Sequence, residues 1–161
     1  MMMKRNMYAD FSYLLVLAGS LGGVLVLGAL VAPVVFNTDK ILSEMLLSHY
    51  DAGKIMAEVF HRFAYWLYFV AIFVALYESI AYKMGQRDAV AFAASVTVIF
   101  ASLMFSAVYA PKILAMQSMG PEATQSDTFQ NIHIASEIDF KLLAVALLVL
   151  FIRRLMLLRI S

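Results

Sequence analysis

Between Phe11 and Thr38 the chain runs without one charged residue, and residues 63–77 and 89–111 are equally free of charge. A helix rises 1.5 Å per residue, so about 20 apolar residues cross the roughly 30 Å of a bilayer's hydrocarbon core. Uncharged runs of that length suit helices dissolved in lipid and leave little room for a soluble fold. Composition agrees, because 63% of the residues are hydrophobic and 14% are charged, against about 25% charged in an average soluble domain.

Four segments meet the length requirement, at about 11–36, 54–82, 88–111 and 130–154. The expected fold class is therefore all-α: one integral membrane four-helix bundle filling residues 1–161. The apolar start continues too far for a cleaved leader and is read as a retained first span. Asp51 and Asp88 are the expected N-caps of the second and third helices, since short acidic side chains accept from free first-turn N–H groups. Pro33 should disturb only the last turn of the first helix, and Pro111 should end the third. After Thr38, the spacing of Ile41, Leu42, Met45 and Leu46 predicts a short interfacial helix between the first and second spans. Gly85 marks a tight turn, and Met119 to Ser126 reads as a loop.

Lys4, Arg5, Lys83, Arg87, Arg153, Arg154 and Arg159 fall at one end of such a bundle, and most carboxylates fall at the other. Basic residues collect on the cytoplasmic side. Both termini are thus expected in the cytoplasm, in a bacterial inner membrane. Gly19 and Gly23 form a G-x-x-x-G pair, followed by Gly28, and such small residues let helices pack closely in lipid. A homo-oligomer or a membrane-complex partner could use that face. There is no cysteine, and the net charge of +1 gives no reason to expect nucleic acid.

Depth counting brings polar residues to the outer, extracytoplasmic end. Glu58, His61, Arg62 and Tyr65 share one helix face, His133, Ser136, Glu137 and Phe140 share another, and Tyr109 reaches the same level. Three readings fit this layer. In the structural one, Arg62 pairs with Glu137 and the histidines tie down the helix ends. In the second, His61, His133, Glu58 and Glu137 bind a transition metal, with Met45, Met56, Met116 and Met119 as nearby soft donors. In the third, His61 and His133 are axial ligands of haem b in a redox protein. His49 reads as a solvated residue. Glu78, one turn from the inner end of the second span, is expected to reach Lys83 or Arg87.

Several short motifs run through most of the chain: Leu17-Ala-Gly-Ser-Leu-Gly-Gly-Val, Val31-Ala-Pro-Val-Val-Phe, Val59-Phe-His-Arg-Phe-Ala-Tyr-Trp, Tyr109-Ala-Pro-Lys-Ile and Ile132-His-Ile-Ala-Ser. In these the chain resembles the family called domain of unknown function 4149, whose members are similar to transmembrane protein 205. The resemblance implies a small four-helix membrane protein with Pro33, Pro111, His133 and Ser136 at family positions, and it implies no particular activity. The function expected is that of a non-enzymatic membrane protein whose outer polar layer binds a ligand, metal or partner. The redox protein is the alternative.

Overall fold

A computed structural model describes residues 7–42 and 47–160, with residues 159 and 160 described by backbone alone. Among the described residues all regular structure is helical. Three helical runs are long and apolar enough to cross a membrane: Met7–Phe36 (α1), His49–Lys83 (α2) and Ala89–Ser118 (α3). A short helix, Pro121–Thr124 (α4), lies in the expected loop, and Asp127–Ile160 (α5) ends the fold. At 34 residues α5 is long enough to span, but Glu137, Asp139 and Lys141 break its apolar run.

The helix starts follow capping chemistry, with one shift. Asp88 caps α3, its carboxylate accepting from the Ala91 N–H at 2.9 Å. The cap of α2 is Ser48 instead of Asp51. Its hydroxyl accepts from the Asp51 N–H at 3.1 Å and donates to the Asp51 carboxylate at 2.6 Å. Asp51 thus sits in the first turn, where its charge favours the positive helix end. Gly85, at φ 87°, turns the chain from α2 to α3. Gly120, at φ 110°, precedes Pro121 and starts α4.

The two prolines act differently from expectation. Pro111 does not end α3, which continues to Ser118. A proline has no N–H, and its ring crowds the carbonyl four residues back. The helix absorbs both defects by widening into a π turn, Phe105–Tyr109, closed by the Ala110 N–H on the Phe105 carbonyl. The Ala-Pro pair in α1 does the same. There the π turn Val26–Val31 is closed by the Ala32 N–H on the Leu27 carbonyl, so Pro33 affects more than the last turn.

One core joins the four long helices. Tyr13, Leu17 and Val24 of α1 pack with Leu67, Val70 and Val74 of α2, Val98 and Ala101 of α3, and Leu143, Leu147 and Leu150 of α5. Large apolar side chains also point outward, among them Phe69, Ile72, Leu76, Phe100, Val145 and Leu148. A helix that is apolar on both its packed and its open faces is at home in lipid. Close approach is met at Gly23, where an added Cβ would lie 2.9 Å from the Phe63 ring, and at Gly28, which faces Phe140. Gly19 has open space around it. After α1, the expected interfacial helix is represented by the turn Thr38–Lys40, with Ile41 and Leu42 exposed. Met45 and Leu46 lie outside the described residues.

Candidate functional site

The polar residues expected at the outer end form their ion pairs within single helices, while the buried His61 Nδ1 has no hydrogen-bond partner among the described residues. Arg62 bonds Glu58 at 2.8 Å, so the expected Arg62–Glu137 pair does not form. Glu137 instead meets Lys141 at 3.3 Å and the His133 ring at 3.3 Å. All of these pairs sit four residues apart on exposed helix faces, where an ion pair contributes about 0.3–0.5 kcal/mol. Ser136 is buried and donates to the His133 carbonyl at 2.7 Å. Tyr65 is exposed, with its ring edge-on to His61, and Tyr109 is half-buried at the end of the π turn.

His61 and His133 open into different cavities. His61 lines a small one of about 520 Å³ between α2 and α3, with Lys54, Glu58 and Leu114. His133 lines a larger cleft of about 1130 Å³. Among the described residues no group of three or more His, Asp or Glu side chains could hold a metal ion. The expected metal set of His61, His133, Glu58 and Glu137 thus finds no support among the described residues.

The larger of these two cavities is a cleft at this end. Its deep wall is apolar, made by Val24, Gly28, Phe60, Phe105, Phe140 and Ala144. The Phe140 ring contacts Phe60 at 5.3 Å and Phe105 at 4.9 Å between centroids and sets the floor. The mouth is polar, made by Asn37, His49, Gln117, Gln130, His133, Glu137 and Lys141. Both Ala-Pro pairs contribute, through Ala32, Pro33 and Ala110. π turns recur at functional sites because they re-aim side chains and release backbone groups. His49, read as a solvated residue, is exposed and stands at this mouth, its ring 5.2 Å from Phe36.

Gln117 is 6% exposed and was not singled out in the sequence. Its backbone carbonyl accepts from the Tyr50 hydroxyl at 2.5 Å, which ties the end of α3 to the start of α2. Its side-chain nitrogen crowds Gly53, where an added Cβ would lie 2.7 Å away. Its Oε1 is buried without a hydrogen-bond partner among the described residues.

At the opposite end Glu78 meets neither Lys83 nor Arg87. Its carboxylate accepts from Arg154 Nε at 2.8 Å, from Arg154 Nη2, and from the Tyr13 hydroxyl at 2.7 Å. Arg154 also donates to Gln86 at 3.0 Å. The Tyr13 ring stacks on Tyr77 at 3.7 Å, and the Tyr77 hydroxyl donates to Asp10 at 2.6 Å. Arg153 makes a two-pronged contact with Asp88 at 3.0 and 2.6 Å. This network joins α1, α2, α3 and α5. A level count from Arg154 to Glu78 could have suggested it.

A further buried acid lies between the two ends. Asp139 is 8% exposed and its Oδ2 has no partner among the described residues. Ser102, fully buried, likewise has an unpartnered hydroxyl. Both positions lie two heptads from the Asp88–Arg153 contact along α3 and α5, and so occupy the same level of that seam.

No curated protein and no solved structure matches the chain. A family model described as a domain of unknown function, number 4149, matches residues 15–122, from within α1 to the start of α4. That stretch holds both Ala-Pro π turns, Gln117 and most of the apolar wall of the cleft. On that match, the chain belongs to the domain of unknown function 4149 family.

Proposed function

We propose that this chain is a small four-span protein of a bacterial inner membrane, with both termini cytoplasmic, that holds an amphiphilic ligand in its outer cleft. Support for the fourth span comes from α5 sharing the core while exposing Ile138, Val145, Leu148 and Ile152. The charges of α5 are compensated where they pair with Asp88, Glu78 and Glu137. Lys83, Arg87, Arg153 and Arg154 at one end support the orientation.

The observation that carries the binding role is the cleft of about 1130 Å³. Small-molecule sites typically enclose about 300–1,000 Å³, with apolar walls and a few polar groups. An apolar wall below a polar mouth matches a molecule with an apolar tail and a polar head.

Native mass spectrometry of the protein extracted with its surrounding lipid tests this. One tightly retained amphiphile per chain is expected. Gly28→Leu and Ala29→Phe fill the cleft from α1 and should each release it. Retention unchanged in both variants, with normal helicity, would refute the reading.

A further inference from the structure

Resting on the reading of α5 as a span, we infer that Asp139 is a proton-binding site inside the bundle, and that the Ser102 hydroxyl on α3 is the group that lets it take up and release the proton. Helix register places the two together. Asp88 near the start of α3 meets Arg153 near the end of α5, and the two helices pack antiparallel from there. Ser102 stands two heptads after Asp88 and Asp139 two heptads before Arg153, both in regular α-helix. Two heptads return to nearly the same helix face, so both residues lie on the seam at one level, about 21 Å along α5 from Arg153 at 1.5 Å per residue.

Both groups are buried and unmatched. Ser102 is fully buried, Asp139 is 8% exposed, and neither Ser102 Oγ nor Asp139 Oδ2 has a hydrogen-bond partner among the described residues. The other buried serines are satisfied: Ser20, Ser95, Ser106 and Ser136 each donate to a backbone carbonyl. A carboxylate only accepts, a carboxylic acid donates one hydrogen, and a hydroxyl does both. Ser102 can therefore accept from the neutral acid and donate to the ionised one. The two are not bonded to each other in this structure, so a side-chain rotation closes the contact.

The surrounding charges favour a proton as the ligand. An ionised carboxylate within a span needs a counter-charge. Residues 11–38 of α1, 63–77 of α2 and 89–111 of α3 carry no charge, and their titratable groups are the phenols of Tyr13, Tyr65, Tyr68, Tyr77 and Tyr109. On α5 itself Lys141 pairs with Glu137, which also meets His133, while Arg153 pairs with Asp88 and Arg154 with Glu78. A proton neutralises Asp139 where these cations are already engaged. Ser136 and Phe140, one turn before Asp139 and one residue after it, line the larger cleft. That cleft brings the exchange route within one helix turn of the acid.

The test uses the full chain in lipid vesicles and dicyclohexylcarbodiimide, an apolar reagent that modifies protonated carboxyls, with modified peptides mapped by mass spectrometry. Modification is expected at Asp139, at a rate that falls as pH rises, approaching about ten-fold per pH unit once the acid is mostly ionised. Ser102→Ala removes the donor to the ionised form, whose charge-assisted bond is stronger than the neutral one. It should move the profile by about one unit to higher pH, with helicity unchanged. A rate independent of pH, or an unmoved profile in Ser102→Ala, would overturn the inference. Protection by sodium ions at constant pH and ionic strength would assign the site to a metal cation and overturn the proton. Modification of Asp139 by a water-soluble carbodiimide instead would place this part of α5 in water and overturn the span together with the site. No modification by either reagent would overturn the site and leave the span standing.

Discussion

Arg154 and Glu78 face each other edge to edge, two guanidinium nitrogens on two carboxylate oxygens, with the Tyr13 hydroxyl donating to the same carboxylate. Arg154 is 3% exposed. The contact joins the second long helix to the last and brings the first helix in through Tyr13. It accounts for two charges that would otherwise be costly at the edge of a hydrocarbon layer.

Breaking this pair from one side should be severe. Arg154→Ala leaves a buried carboxylate without its cation, and a loss of about 3–5 kcal/mol is expected. Replacing both partners with apolar residues, as in Glu78→Leu with Arg154→Met, should restore most of it. Thermal unfolding in detergent, followed by helical circular dichroism, compares the two. A single variant as stable as the parent would show that the pair is not needed.

The companion contact gives a pH signature. Asp88 precedes the apolar stretch of α3, and hydrogen bonds from Arg153 and then from the Ala91 N–H hold its carboxyl down at about 2. Because the folded value lies below the ordinary 3.8, its stabilising effect is complete above the unfolded value. It is lost as pH falls through the folded one. Stability should therefore fall between about pH 4 and pH 2 by more in the parent than in Asp88→Asn, which has no carboxyl to titrate. Acid unfolding curves of the two proteins that stay parallel would contradict this.

The glycines of α1 should behave oppositely. Gly19 has nothing within 4 Å of an added Cβ, so Gly19→Ala should stabilise the helix by up to about 1 kcal/mol. A Cβ added at Gly23 would lie 2.9 Å from the Phe63 ring, so Gly23→Val should cost about 1–3 kcal/mol through overpacking. Adding Phe63→Leu should recover part of that loss. Melting midpoints of the three variants decide, and a destabilising Gly19→Ala would place an unseen partner against that face.

Asp139 carries an unpaired buried oxygen. If the carboxyl serves only packing, Asp139→Asn should raise the melting midpoint by about 2–4 °C, equivalent to about 1 kcal/mol. A fall would show that the acid has a partner beyond the described side chains.

The apolar runs, the breaks at Asp88 and Gly85, and the segregation of arginine and lysine were all legible in the one-dimensional chain, because helix rise and the cost of burying charge in lipid act locally. The same reasoning brought His61, His133, Glu58 and Glu137 to one level. It could not supply their rotation about each axis. Arg62 therefore turns to Glu58 within its own helix, and His61 opens into a different cavity from His133. Only the packed structure decides that Glu78 takes its cation from Arg154, that proline is absorbed by a π turn, and that Gln117 becomes a buried acceptor. Each of these depends on which side chain stands opposite across a helix interface. Distance along the chain does not encode that, whereas the long uncharged stretch from Phe11 to Thr38 encodes its solvent by itself.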